Sequence, residues 1–292
     1  MLILEEEKIR KTVRKGYAKI AKEGLCCSPT TSCCGNPNTY EELSKKMGYT
    51  EEELKSIPKS ANLSLGCGNP VALASLKEGE TVIDLGSGAG VDCFLAAKRV
   101  GEKGEVIGVD MTPEMIDKAR ENARKGNYGN VEFRLGEVEN LPVADNTADV
   151  IISNCVINLT PNKRRVFEEA FRALKPGGRL MVSDIVLLKE LPEAIKKRAH
   201  PASCVKGAIM KDKYIETIEQ AGFQNVEIIE ETQYSFEDIV NDPNAKVIVA
   251  DHDKNTQELK SVSELDEEAK EIVKDVLIST MSINVSAVKP SK

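Results

Sequence analysis

Two periodicities divide the chain. From about residue 5 to residue 23, Ile9, Val13, Tyr17 and Ile20 recur at the spacing that lays one face of an α-helix on a core, and Gly24 ends the run. From Glu80 onward, short apolar runs alternate with amphipathic stretches. The runs Thr81–Leu85, Glu105–Val109, Val131–Leu135, Asp149–Ser153 and Arg179–Ile185 predict strands. Val91–Arg99, Pro113–Lys125 and Asn162–Leu174 predict the helices between them. Such alternation makes parallel strands joined by right-handed crossovers, so the expected fold is a doubly wound α/β sheet. Pro176-Gly177-Gly178 predicts a turn after a helix. Farther on, Lys211–Ala221 predicts a helix ended by Gly222, Val226–Ile229 a strand, Glu264–Val276 a charged amphipathic helix and Ser282–Val288 a final strand. If the last two strands pair as an antiparallel edge, the sheet has seven strands and residues 233–280 are an insertion between them.

The segment before the sheet has a different character. A loop, LCCSPTTSCCGNPN, is followed by a short helix that Thr39 could cap, and Thr50 with Glu53 has capping-box spacing for another. SANLSLGCGNP, residues 60–70, reads as an ordered polar loop. Three regions are expected: a helical segment with a cysteine loop over 1–75, a ligand-binding Rossmann-like domain over 76–190, and a substrate-side region over 191–292 that includes the last sheet strands.

Composition narrows the chemistry. With 292 residues, 41% hydrophobic, the chain can build a substantial core. A net charge of -7 and no strongly basic stretch argue against nucleic acid as a partner. No apolar run is long enough for a membrane span, and the N-terminal LEEEKIRKTVRK has no signal-peptide h-region, so a soluble cytoplasmic protein is expected. No heptad seam is evident, which leaves a monomer as the expectation. Only two histidines occur, His200 and His252, which excludes His-rich metal sites and most His-relay mechanisms. Eight cysteines point elsewhere, toward binding of a soft element or redox chemistry in a reducing compartment.

After the first strand comes D-L-G-S-G-A-G, Asp84 to Gly90, opening a helix. Gly86, Gly88 and Gly90 permit positive dihedrals and a close approach of backbone to ligand, with Ser87 between the first two. The dinucleotide fingerprint wants a small residue at position 91, where this chain has Val, so a nicotinamide cofactor is the weaker reading. Asp110, at the end of strand two, is placed to accept from ribose hydroxyls. Glu137, in G-E-V-E-N-L-P after strand three, is placed to accept from a base amino group, and Asn154 follows strand four. Ligands of open α/β sheets bind along that carboxyl edge.

Over residues 65–230 this pattern resembles the Rossmann-like class I S-adenosylmethionine-dependent methyltransferases, on D-L-G-S-G-A-G, the V-D-M after strand two, G-E-V-E-N-L-P and L-K-P-G-G. The resemblance implies S-adenosylmethionine as cofactor, with Asp84 and Gly86–Gly90 toward the methionine part, Asp110 and Met111 toward ribose and adenine, and Glu137 and Val138 toward adenine.

Three cysteines sit in loops that the topology directs to the same edge: Cys67 in S-L-G-C-G-N-P, Cys155 in S-N-C-V-I-N-L and Cys204 in A-S-C-V-K-G-A. Converging thiolates suit a soft, pyramidal centre such as trivalent arsenic, whose lone pair can attack an activated methyl group without a general base. Those three contexts resemble the arsenite methyltransferases, a family that detoxifies arsenic. The resemblance implies that Cys155 and Cys204 hold the arsenic of arsenite or a thiol conjugate, with Cys67 as a third ligand or a redox partner. It implies too that a disulfide between Cys67 and an N-terminal cysteine returns electrons, reset by an external dithiol such as thioredoxin. The family pattern has one upstream cysteine where this chain has Cys26, Cys27, Cys33 and Cys34, and which of them plays that part stays open, as do arsenite preloading, zinc binding and incidental thiols. Cys93 reads as a core thiol and His200 as a surface residue. Two rival functions fit the same motifs: a methyltransferase of an organic nucleophile with structural cysteines, and a thiol-based metalloid sensor.

Overall fold

The computed structural model describes residues 2–23, 38–198, 203–233, 236, 246–251 and 256–291. Cys26, Cys27, Cys33, Cys34, His200 and His252 lie outside the described residues. The strands are β1 (Thr81–Leu85), β2 (Glu105–Asp110), β3 (Val131–Leu135), β4 (Ala148–Asn154), β5 (Leu174–Leu187), β6 (Gln224–Thr232), β7 (Lys246–Asp251), β8 (Thr256–Ser261) and β9 (Thr280–Val288). The helices are α1 (Leu2–Glu23), α2 (Asn38–Lys46), α3 (Glu51–Lys55), α4 (Pro70–Leu73), α5 (Val91–Val100), α6 (Pro113–Gly126), α7 (Lys163–Ala173), α8 (Glu193–Arg198), α9 (Cys204–Gly207), α10 (Lys211–Gln220) and α11 (Glu267–Ser279).

Seven strands form one sheet in the order β3-β2-β1-β4-β5-β9-β6. β1 to β5 are parallel, and β9 runs antiparallel between β5 and β6. The fold is therefore the expected doubly wound α/β sheet, with the expected antiparallel edge. The β7–β8 pair and α11 lie in the insertion between β6 and β9.

The strands read as continuous apolar runs because both faces are covered. Successive side chains of β1 go to opposite cores: Ile83 and Leu85 pack with Phe167 and Tyr214, whereas Val82 packs with Phe94 and Phe133. Phe94, Phe167 and Tyr214 come from the crossover helices and Phe133 from β3, so the same alternation that predicts the fold also fills both layers.

Three local expectations are corrected. Pro176-Gly177-Gly178 lies inside β5, because the pairing jumps from Ala148↔Leu174 to Val150↔Arg179 and bulges Lys175–Gly178 out of register. Gly177 takes φ 79°, and Lys289 of the C-terminal segment bridges the bulge, accepting from Gly177 N at 2.9 Å and donating to Gly178 O at 2.8 Å. The second helix starts at Asn38, so Thr39 lies within it. The late amphipathic helix starts at Glu267 instead of Glu264, because the Asp266 side chain caps it by accepting from Ala269 N at 2.8 Å. The Thr50–Glu53 capping box forms as expected. Among the described residues no helix is long and apolar enough to cross a membrane.

Gly90, at the N-cap of α5, has φ 101°, and a Cβ there would lie 2.7 Å from Phe94 Cε2 and 2.9 Å from Phe133 Cζ. Gly90→Ala is expected to cost about 2–4 kcal/mol, the sum of a left-handed residue and an overpacked core. Gly79, with φ 85° and nothing within 4 Å of its would-be Cβ, carries only the first cost. Urea unfolding of Gly79→Ala and Gly90→Ala checks this; the midpoint of Gly90→Ala should fall farther with the slope unchanged.

Candidate functional site: a glycine-lined cleft beside clustered thiols

The parallel strands end together, and the residues that follow them share one edge. Leaving β1, Gly86 and Ser87 both donate their N–H groups to Val109 O of β2, at 2.8 and 3.0 Å, with φ 73° at Gly86 and 52° at Gly88. The Gly88 N–H donates to Asp110 Oδ2 at 3.0 Å, and Thr112 N donates to Asp110 Oδ1 at 2.8 Å. Burial pushes the Asp110 carboxyl up, and those two N–H groups oppose the shift. A Cβ on Gly88 would meet nothing within 4 Å, so the loop backbone lies open to solvent space. Gly86, Ser87, Gly88, Asp110, Met111, Glu137, Val138 and Asn154 border one cleft of about 1070 Å³, its open mouth included. Asp84 and Gly90 do not line it. Asp84 is 2% exposed behind the loop, accepting from the buried Cys93 thiol at 3.2 Å, and its carboxyl is pushed well up by burial and by neighbouring Asp92.

Helix α1 roofs this cleft with Arg10, Val13 and Tyr17. Arg10 Nε donates to Glu139 Oε2 at 2.8 Å, and Arg14 donates to Glu137 Oε1 at 3.2 Å. Glu137 thus has cationic partners that its sequence position does not announce. Glu139 is almost fully buried, and its Oε1 also accepts from Asn162 N at the start of α7. Tyr17 lines the cleft and is held well above the usual phenol range by burial, then by the charges of Cys204, Cys155, Asp110 and Cys67.

A second cluster centres on Asn154. Its Oδ1 accepts from Cys67 N at 2.8 Å, and its Nδ2 lies 2.8 Å from Gly68 O, 2.9 Å from Tyr49 Oη and 3.1 Å from Asp92 Oδ2. Tyr49 donates to Asp92 Oδ1 at 2.6 Å. Burial raises the Asp92 carboxyl to about 6, against the lowering effect of its hydrogen bonds from Tyr49 and Asn154. A Cβ on Gly68 would lie 2.7 Å from Ser183 Oγ, so the glycines flanking Cys67 let the loop press onto β4 and β5. Sequence reasoning passed over Asp92, Tyr49, Tyr17, Arg10 and Glu139. The available signal was an acidic residue in the first turn of α5, directly after the glycine loop.

Just past Asn154, the chain turns sharply. Cys155 adopts φ 60°, a strained conformation for a residue with a side chain, and donates its N–H to Ser183 O at 2.8 Å. Its Sγ lies 3.0 Å from Cys204 Sγ, at the start of α9, and Cys204 Sγ donates to Cys155 O at 3.2 Å. Cys67 Sγ donates to Ser183 O at 3.4 Å and lies within 4.8 Å of Cys155 Sγ. All three thiols are free. Burial pushes the Cys67 thiol up, and the Cys204 thiol is raised well up by its hydrogen bond with Cys155 and by burial. Cys155 is also raised well up; its bond with Cys204 lowers it, but the bond with Cys67, burial and nearby charge prevail. The cluster is therefore three close thiols, Cys155 buried and Cys67 and Cys204 half-buried, each held toward its protonated form beside the glycine-lined cleft.

A family model described as a methyltransferase domain matches residues 76–222. The chain belongs to this methyltransferase family. It is 48% identical over 233 residues to an arsenite methyltransferase of Halobacterium salinarum, covering 77% of this chain and 59% of the relative. It is 34% identical over 236 residues to a human arsenite methyltransferase, covering 76% of this chain and 60% of the relative. The chain thus spans less than two thirds of the length of these relatives. Among solved structures it is similar to CrArsM, an arsenic (III) S-adenosylmethionine methyltransferase from Chlamydomonas reinhardtii, with a TM-score of 0.58 and 31% identity, covering 85% of this chain and 73% of that one.

Asn154→Ala removes the amide that both holds the Cys67 loop and serves buried Asp92. The expected loss is about 2–4 kcal/mol, from a buried carboxyl and an N–H left without partners. Freed from this anchor, Cys67 should be alkylated by iodoacetamide faster than in the parent protein, which peptide mass spectrometry reads directly.

Proposed function

We propose that this methyltransferase transfers methyl groups from S-adenosylmethionine to trivalent arsenic held by Cys67, Cys155 and Cys204. The observation that carries the reading is the 3.0 Å approach of Cys155 and Cys204 sulfurs, with Cys67 beside them, at the edge of the glycine-lined cleft. Its similarity to arsenite methyltransferases points the same way.

The cleft suits the cofactor. Ser87 Oγ is buried at its wall without a partner among the described residues, and each Asp110 oxygen accepts one N–H and keeps capacity for a hydroxyl. On this reading the Gly86–Gly88 backbone holds the methionine portion, Asp110 the ribose, and Met111, Val138 and Glu137 the adenine, with Asp84 and Gly90 shaping the loop from behind. S-adenosylmethionine held there would supply an electrophilic methyl group to which the arsenic lone pair is donated, the sulfonium carbon–sulfur bond breaking to leave S-adenosylhomocysteine and the arsenic formally oxidised. The protein's own work is orientation and exclusion of water: three sulfurs fix the pyramid, and Tyr17 closes the space between the thiols and the loop. No residue need remove a proton from the substrate, in keeping with a site built of sulfur and amide groups. Arsenite or its thiol conjugates are the proposed substrates, and an external dithiol such as thioredoxin returns the electrons through a disulfide between Cys67 and one of Cys26, Cys27, Cys33 and Cys34. The chain is proposed to work as a cytoplasmic monomer.

Cys155→Ser and Cys204→Ser should each lower arsenite-dependent methyl transfer by about 100-fold or more, the scale of a misplaced reacting geometry. Cofactor binding by calorimetry should be unchanged in both, and full methylation by either variant would sink the assignment of that residue. A second expectation follows from proton counting. Arsenous acid carries three hydroxyls that leave as water with the three thiol protons, so binding releases no net proton. Arsenite affinity should therefore stay level from about pH 6 to 8 although the thiols are protonated throughout.

A further inference from the structure

Beside the thiols lies a buried carboxylate that the methyl-transfer reading leaves without a task. Asp184 of β5 is 0% exposed. One Asp184 oxygen, Oδ1, accepts from Asn158 Nδ2 at 2.8 Å and from its neighbour Ile185 N at 3.0 Å. The other, Oδ2, accepts from Tyr214 Oη at 3.0 Å, and the Asn158 backbone also hydrogen-bonds to this carboxylate. The ligand atoms of Cys67, Cys155 and Asp184 all lie within 4.8 Å of one another; Cys204 Sγ is not part of that mutual set but lies 3.0 Å from Cys155 Sγ and can swing in as a third sulfur. Tyr214 and Asn158 are buried themselves and fix the carboxylate's orientation, the arrangement that second-layer partners give to a metal ligand. Lys163, half-buried nearby, supplies positive charge toward Asp184.

We propose that Cys67, Cys155, Cys204 and Asp184 form a three-sulfur, one-oxygen site for a thiophilic divalent cation of the zinc and cadmium class. Trivalent arsenic makes three bonds and keeps a lone pair, so it has no use for a fourth donor. A d¹⁰ divalent ion prefers four donors in a tetrahedron, and thiolates select it over harder ions. Such an ion occupies the same sulfurs as arsenite and excludes it. Each thiol it takes gives up a proton to solvent, whereas Asp184 binds as the carboxylate. The inference rests on the donor geometry and not on methyl transfer.

The test uses the full chain with Cys26, Cys27, Cys33 and Cys34 each replaced by Ser, so that these thiols do not compete. Titration with zinc chloride, without thiol reductants, should give one ion per chain, displaced one for one by arsenite. X-ray absorption at the zinc edge should find three sulfurs at about 2.3 Å and one oxygen at about 2.0–2.2 Å. Asp184→Asn should weaken zinc binding by about 10-fold or more while leaving arsenite binding unchanged. A four-sulfur shell, failure of arsenite to displace zinc, or undiminished zinc affinity in Asp184→Asn would overturn the proposal. If Asp184→Asn does not fold, the absorption spectrum of the Asp184 protein decides alone. A chain inert toward arsenite that still binds zinc through three sulfurs and an oxygen would support this site and defeat the arsenic reading.

Discussion

One amide side chain, Asn154, joins the two halves of the site. Its oxygen holds the Cys67 N–H, and its nitrogen serves Asp92, Tyr49 and Gly68. Buried polar groups must find partners or cost the chain several kcal/mol, so a single residue at the end of β4 fixes where the residue 62–69 loop can lie. The loop position in turn sets Cys67 against β5, where Ser183 O receives the Cys67 thiol and the Cys155 N–H. The thiol cluster is thus a consequence of polar accounting at the sheet edge as much as of sulfur chemistry.

The same edge carries several carboxyls with little solvent around them. Asp84 sits behind the glycine loop, Asp92 lines the cleft and Asp184 stands beside the thiols, with the last two raised to about 6. Raised carboxyl values mean that ionising these groups costs folding energy as pH climbs from the ordinary aspartate range through about 6. The hydrogen bonds from Tyr49, Asn154, Tyr214 and Asn158 reduce that cost without removing it. A site in this state is preorganised and strained together, as the left-handed Cys155 also indicates.

Much of the fold was legible because its signals are local. Apolar runs with β-branched residues, separated by amphipathic stretches and punctuated by glycine, specify parallel strands and crossovers whatever lies elsewhere in the chain. Where a local signal was ambiguous the reading slipped. Pro176-Gly177-Gly178 has turn chemistry, yet β9 and the following Lys289 continue the sheet past it and make it a bulge. Asp266 is a stronger cap than anything at 264, and the helix begins after it.

The sheet, the glycine loop and the three cysteine contexts could be read from local order along the chain, since each depends on neighbours a few residues away. Tertiary structure alone decided that Cys155 and Cys204 sulfurs lie 3.0 Å apart, that Arg10 and Arg14 of α1 reach Glu139 and Glu137, and that Asp184 stands beside the thiols. No periodicity encodes these contacts. They arise where separate strand ends and loops are packed onto one edge, and which side chains meet there depends on register, burial and the need to satisfy every buried polar atom.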